Sequence, residues 1–452
     1  MKFFKSIIIF NMLLITILLV GCNAEDIEET ETNEDIYQDL IYSLHLGDFE
    51  NVYEDDFSEE LQETISLREL ERDWEALATN NGDLVGIRTL RLDTNEENLE
   101  IFEARVEYED VNFDVRMILN ESKEVVGFNL LNAMARVTIP NLVVEESIIV
   151  GEDTDFKLGG TITLPRYHQE NLPAVILVHG SGPVDRDESV MAYKPFRDIA
   201  WGLAEQGIAV VRYDKRTFVY GEEMGQESDV ITVYEETIQD AINAAELIKD
   251  DERINENNVF IIGHSLGGML APRIDEEGGD FAGIISLAGS PRPLWEIIYD
   301  QNIYFKDIYL TDENEKNIYM ESIEEEYEKA QNLQNLSIEE AKDIEIFGIN
   351  GYYLKDMEEY DLESRVTNLE KPILKLQGED DFQVFYNEDF ALWQELLGQK
   401  DNATLISYEN LNHFFIEYNG NNKGTLEEYQ HPGIVSQEVV TDIGKWISEN
   451  LN

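Results

Sequence analysis

In the second half of the chain, apolar residues gather in short dense runs separated by stretches of helical period. Residues 173–179, 208–213, 259–262, 282–287, 373–376 and 404–408 are rich in β-branched and aliphatic residues, as expected of strands buried on both faces. Between them, residues 193–206 carry Phe196, Ile199, Ala200 and Leu203 on one helical face and stop at Gly207. Residues 233–248 read as a second helix. Residues 435–447 close the chain as an amphipathic helix with Val439, Val440, Ile443 and Trp446 in register. A hairpin at 148–151 and 160–164 precedes the first buried run. Strands alternating with helices predict an α/β architecture, a mostly parallel doubly wound sheet, over residues 139–452.

Residues 293–368 break this rhythm. They are rich in Glu, Tyr and Ile, contain a capping box at Ser337-x-x-Glu340, and read as several helices inserted after one core strand. Such an insertion sits where a lid would cover the mouth of a site. Trp295, Tyr299, Tyr304 and Phe305 are expected either to line an apolar pocket or to form the insertion's own core.

Upstream, residues 34–138 read as a small α+β domain. Ser66-x-x-Glu69 opens a helix through Leu67, Leu70, Trp74 and Leu77. Alternation then places Phe102, Ala104, Val106 and Tyr108 on one strand face, and Val111, Phe113, Val115, Met117 and Leu119 on the next. A further short strand is expected over 125–130. This order, helices and then a strand meander, resembles the nuclear-transport-factor-like domains found ahead of hydrolases in Gram-positive lipoproteins. No chemistry is evident in it, and His45, among Leu44, Leu46 and Phe49, reads as a packing or surface residue.

The N-terminus carries a different pattern. Lys2 and Lys5 precede an apolar run from Ile7 to Val20, which ends in Leu19-Val20-Gly21-Cys22. Residues 1–21 therefore read as a signal peptide. The ending resembles a bacterial lipobox, with Cys22 as the expected lipid anchor on the extracytoplasmic face of the cell membrane. Residues 22–33 read as an acidic tether.

Charge narrows the class of partner. Lys+Arg 33 against Asp+Glu 95 gives a net charge of −62, spread along the chain, which would repel phosphate backbones and excludes nucleic acid as a partner. Cys22 is the one cysteine, so no internal disulfide forms, and six scattered histidines give no metal-binding spacing. No cofactor is expected. Oligomeric state is not readable.

The chemistry centres on residues 259–268, where Val-Phe-Ile-Ile runs into Gly263-His264-Ser265-Leu266-Gly267-Gly268. A buried strand entering Gly-x-Ser-x-Gly and leaving as a helix is the turn that lifts a nucleophilic serine to a sheet edge. A serine needs a base, and the base needs an orienting acid. After the strand at 373–376 comes Gln377-Gly378-Glu379-Asp380-Asp381; the Gly378-x-x-Asp381 spacing favours Asp381 as the acid, with Glu379 and Asp380 facing solvent. After the strand at 404–408, His413 lies beside Phe414 and Phe415 and is favoured as the base over His431, which sits in a Gly/Asn-rich loop. His264 is expected to point into the fold, His179 ends a core strand, and His168 lies in a polar turn. The backbone N–H groups of Leu266 and of Ser181, in the glycine-rich loop after His179, are the expected oxyanion donors. Arg186, between Asp185 and Asp187, is expected to order its own loop by ion pairing.

Together, His179-Gly-Ser-Gly-Pro-Val-Asp-Arg-Asp187, Tyr213-Asp-Lys-Arg216, Gly263-His-Ser-Leu-Gly267, Leu376-Gln-Gly-Glu-Asp-Asp-Phe-Gln-Val384 and Leu411-Asn-His-Phe-Phe415 resemble a bacterial α/β-hydrolase family over residues 140–450. Its members are similar to carboxylesterases and lie near the serine aminopeptidase and dienelactone hydrolase branches. The resemblance implies a triad of Ser265, Asp381 and His413 and a small-molecule ester or short acyl substrate. The chain departs from the family at Thr217-Phe218-Val219-Tyr220, where a glycine usually follows Tyr-Asp-Lys-Arg, which bears on the shape of one pocket loop. The expected activity is carboxylic ester hydrolysis. A peptidase acting on short peptides, and a surface lipoprotein that binds ligand without turnover, are the alternatives.

Overall fold

A computed structural model describes residues 33–78, 84–94, 99–108, 111–120, 122–135, 139–167, 171–227 and 231–451. The signal peptide, Cys22, nearly all of the acidic tether and His168 lie outside the described residues.

The N-terminal domain begins with α1 (Asn33–His45), so helix starts at the last residue assigned to the tether, and continues through short helical turns to α2 (Leu67–Ala78). The Ser66 capping box is present: Ser66 N donates to Glu69 Oε2 at 2.9 Å, and Glu69 N donates to Ser66 Oγ at 3.3 Å. An antiparallel meander follows, β1 (Leu84–Thr94), β2 (Glu100–Tyr108), β3 (Val111–Leu119) and β4 (Val125–Ala135), in the order β1-β2-β3-β4. Tyr37, Leu44, Leu70 and Trp74 from the helices bury the apolar face predicted for β2 and β3. The fourth strand runs five residues beyond the predicted 130. His45 Nδ1 lies 2.8 Å from Tyr108 Oη, a packing position as expected.

The larger sheet holds β5 (Val143–Val150), β6 (Leu158–Pro165), β7 (Leu172–Val178), β8 (Ala209–Tyr213), β9 (Ile254–His264), β10 (Ile284–Leu287), β11 (Ile373–Gly378) and β12 (Ala403–Tyr408), in the spatial order β12-β11-β10-β9-β7-β8-β6-β5. The six strands β7 to β12 are parallel. The β5–β6 hairpin is antiparallel and closes one edge by pairing with β8. Because side chains alternate across a strand, one run of apolar residues supplies two cores. Ala174, Ile176, Val178, Ile261, Ile284 and Ile373 face α4 (Gln239–Lys249) and α5 (Leu266–Ile274). Val175, Leu177, Phe260, Ile262, Ile285 and Leu374 face α3 (Pro195–Glu205) and α9 (Gln437–Glu449). The predicted doubly wound sheet is the observed one. Its first hairpin begins earlier than predicted, at Val143 rather than near residue 148.

The insertion after β10 folds as a cap with α6 (Leu294–Tyr309), α7 (Glu313–Gln331) and α8 (Gly351–Glu359) around its own core, which includes Trp295, Ile323, Leu333, Phe347 and Leu354. The Ser337–Glu340 capping box is formed. The cap also holds a two-stranded hairpin, Glu345–Ile346 with Ile349–Asn350, turned at Phe347 and Gly348, both with positive φ. Arg292 fixes the root of the cap, pairing with Asp389 of the body at 2.8 Å and with Asp300 of α6 at 2.6 Å.

Trp295 is 7% exposed and contacts Tyr327 edge-on. Trp295→Ala is expected to destabilise the cap by about 3–5 kcal/mol, read as a lower denaturation midpoint in urea.

Candidate functional site

Segments that follow the parallel strands β7, β8, β9, β11 and β12 converge on one cavity of about 540 Å³. This follows the general placement of ligand sites beyond the carboxyl ends of such strands. Ser265 stands between β9 and α5 with φ 53° and ψ −115°, a conformation rarely open to a side-chain-bearing residue. The neighbours that permit it are glycines. A Cβ at Gly263 would meet Gly267 O at 2.0 Å, and one at Gly267 would meet Val178 O at 2.3 Å. Leu266 is the first residue of α5, where an N–H has no intrahelical acceptor. Ser181 lies three residues beyond β7, and Ser181, Leu266, Ser265 and His413 all line the cavity.

Asp381 follows β11 and is 5% exposed. One carboxylate oxygen, Oδ1, accepts from the backbone N–H of Gln383 at 2.8 Å and of Val384 at 2.9 Å; the other, Oδ2, accepts from Gln377 Nε2 at 2.8 Å. That second oxygen also lies 2.8 Å from His413 Nδ1. His413, in the loop after β12, is 2% exposed. Asn412 Oδ1 braces this loop by accepting from the N–H groups of Phe414 and Ile416. The structure therefore brings the predicted serine, acid, base and both backbone donors to one place. Glu379 and Asp380 are half-buried and engaged rather than facing solvent: Glu379 accepts from Ser407 Oγ, and Asp380 pairs with Lys423. His431 is exposed and stacks on Tyr418.

Three groups around the site were not read from sequence. Glu188, 2% exposed, accepts from Gly180 N at 2.7 Å and pairs with His264 Nδ1 at 3.0 Å. His264 Nε2 in turn lies 3.0 Å from the carbonyl of His413. The imidazole is thus flanked by the Glu188 carboxylate on one side and the His413 carbonyl on the other. Burial pushes the His264 pKa down, but the charge and hydrogen bond of Glu188 outweigh it and the net direction is up. Lys215, buried, pairs with Glu236 at 2.7 Å. The cap roofs the cavity with Leu294, Ile297, Ile298 and Gln301, which follow the i, i+3, i+4, i+7 stripe of one helix face.

The aromatic residues singled out in the insertion lie elsewhere. Trp295 and Tyr299 turn toward Tyr327 in the cap core, while Tyr304 and Phe305 pack on Phe382. Arg186 also departs from expectation. It pairs with Asp214 at 2.6 Å, while Asp187 pairs with Arg212 and Asp185 accepts from its own loop. The departure at Thr217 is accommodated by a helix, Arg216–Glu227, kinked at Tyr220, with Thr217 on the cavity wall.

This fold and site define an α/β-hydrolase, and the enzyme is a serine hydrolase. Residues 200–431 match the prolyl oligopeptidase family, and the chain belongs to it. It is 31% identical over 392 residues to Esterase EstD of Thermotoga maritima, covering 86% of this chain and 89% of that protein. Among solved structures, it is similar to Est1E from Butyrivibrio proteoclasticus, with a TM-score of 0.43, 17% identity, and coverage of 67% of this chain and 98% of that one. A dienelactone hydrolase from Anabaena variabilis gives a TM-score of 0.39, 14% identity and coverage of 69% and 100%. Residues 38–128, which hold the helix-then-meander order, match a family described as a protein of unknown function, DUF3887.

Burial disfavours the charged imidazole and holds the His413 pKa below the ordinary histidine value, with Asp381 opposing the shift. A base works when neutral, so kcat/KM is expected to persist on the acid side, its acid limb falling below the midpoint of an ordinary histidine. A pH–rate profile checks this. For His264 the sign reverses: its contribution to stability is complete below the ordinary value and fades as pH rises through the raised one.

Proposed function

We propose that the protein hydrolyses carboxylic esters through Ser265, His413 and Asp381, by way of an acyl-enzyme. His413 takes the Ser265 hydroxyl proton as Oγ bonds to the acyl carbon, and the carbonyl electron pair moves onto oxygen between the N–H groups of Leu266 and Ser181. Collapse expels the alkoxide, which leaves with the proton held by His413. Water then repeats the sequence on the acyl-enzyme and frees Ser265. Asp381 keeps the imidazole oriented and stabilises its charged form. The observation that carries this reading is the buried 2.8 Å contact of His413 Nδ1 with Asp381 Oδ2, His413 lining the same cavity as Ser265.

The family match favours a second reading, peptide hydrolysis. An aminopeptidase must hold a substrate ammonium, and the carboxylates on the cavity wall are already engaged: Glu236 by Lys215 and Tyr353, Glu188 by Gly180 and His264. This supports the ester over the amine-bearing substrate. The apolar wall contributed by Leu294, Ile297, Ile298 and Val384 suits an uncharged acyl chain. Esterase EstD, by its name, supports the same choice.

A fluorophosphonate probe is expected to modify Ser265, and Ser265→Ala to abolish labelling and lower kcat on the order of a million-fold. Faster turnover of aminoacyl anilides than of p-nitrophenyl acetate would favour the peptidase instead.

The lipobox-like ending at Cys22 supports display at the extracytoplasmic face, tethered by acyl chains. Among the described residues, no helix is long and apolar enough to cross a membrane. Cys22→Ala is expected to move the protein from the membrane fraction to the soluble one on cell fractionation, and an unchanged distribution would sink the anchor.

A further inference from the structure

Gly180 is held through both of its peptide groups by buried charges. Its N–H donates to Glu188 Oε1 at 2.7 Å, and its carbonyl accepts from Lys215 Nζ at 2.8 Å. Glu188 and Lys215 are each 2% exposed. The second of these groups is the Gly180–Ser181 peptide. It is trans, so the carbonyl gripped by Lys215 and the N–H of Ser181 point in opposite directions from one rigid plane. That plane runs alongside the serine: a Cβ on Gly180 would lie 3.1 Å from Ser265 Cβ.

We propose that Lys215 is a positioning residue of the oxyanion hole. Its ammonium fixes the Gly180–Ser181 plane so that Ser181 N–H faces the developing oxyanion. By drawing charge toward the carbonyl oxygen, it also strengthens that N–H as a donor. The proposal rests on the ester-hydrolase reading and adds to it a residue that never touches substrate.

Two features distinguish this from an ordinary buried ion pair. Glu236 neutralises Lys215 at 2.7 Å, yet Lys215 directs a further hydrogen bond to the one carbonyl whose peptide carries the candidate donor. The other Glu236 oxygen accepts from Tyr353 Oη of the cap at 2.5 Å, so the support for the lysine reaches into the cavity roof. Other parts of the Tyr213-Asp-Lys-Arg216 stretch hold the same loop or anchor the stretch itself. Asp214 pairs with Arg186 at 2.6 Å, Lys215 N donates to Val184 O at 3.2 Å, and Arg216 pairs with Asp240 of α4 at 2.5 Å. The stretch after β8 thus clamps the loop of residues 180–188 through Asp214 and Lys215, with Arg216 as its anchor on α4.

The test uses the full chain carrying Lys215→Met, and Lys215→Met with Glu236→Gln so that no carboxylate is left without its cation. Each is compared with wild type by thermal melting, by kcat and KM on p-nitrophenyl butyrate, and by inhibition with a trifluoromethyl ketone, which forms an oxyanion on the serine. The expected result is a kcat lower by about 10- to 100-fold, a KM within about twofold, and ketone affinity falling in proportion to kcat/KM. The fluorophosphonate should still modify Ser265, more slowly. A folded variant with wild-type kcat and ketone affinity overturns the proposal, as does a loss of kcat with ketone affinity unchanged. Failure of both variants to fold makes the lysine an element of the fold and overturns the positioning role. A wild-type protein that the probe leaves unmodified at Ser265 sinks the ester-hydrolase reading instead.

Discussion

The turn at residues 263–268 leaves no room for one more carbon, and the rest of the hydrolase domain is arranged around that contact. Gly263 and Gly267 pack backbone to backbone, and Gly267 abuts the carbonyls of Val178 and His179. The end of β7, the end of β9 and the start of α5 are therefore held within van der Waals distance. Close approach at this point brings the loop after β7 beside Ser265. It also sets His264 against His413, the rings tilted at 55° with centroids 4.7 Å apart. Strain at Ser265 persists because these surroundings over-determine it. The flanking strands are buried on both faces and fixed in register, Ile284 opposite Ile261 and Ile373 opposite Ile284.

What could be read from the sequence was what is encoded locally. A dense apolar run followed by Gly-x-Ser-x-Gly declares its own strand, turn and helix, and acids or histidines just after other apolar runs must fall at the same edge of a parallel sheet. Ser265, Asp381 and His413 were accessible for that reason. What escaped depends on contacts between distant segments. Glu188 looks like one more acid among 95, and only the fold shows it buried between Gly180 and His264. Arg186 had acids on either side, yet it took Asp214, because β6 and β8 pass beside its loop. In β1, register shifts between Leu84 and Gly86 and between Thr89 and Arg91 interrupt the alternation that makes a strand visible. In the cap, Trp295 and Tyr299 took the second of the two places open to them, the insertion's own core, whereas the stripe at 294, 297, 298 and 301 is what faces the cavity. Large rings filled the cap's own core because an insertion standing off the sheet must supply its own burial.

The uneven use of charge connects these observations. The chain has 33 cationic side chains against 95 acids, and a surface this acidic keeps anions at a distance. Several cations are nonetheless buried or half-buried in ion pairs within the hydrolase domain. Arg186 pairs with Asp214, Arg212 with Glu145 and Asp187, Lys215 with Glu236, and Arg216 with Asp240. Placing a charge in the interior is costly unless it is paired and fully hydrogen-bonded, so such pairs contribute little net stability. Their worth lies in direction: a charged donor fixes the orientation of a loop that no regular hydrogen-bond ladder holds. Residues 180–188 lie between β7 and α3, outside either element, and carry the backbone that approaches Ser265. Arg186, Arg212 and Lys215 are paired on or against this loop and hold its backbone in place, which is the preorganisation that the proposed oxyanion site requires.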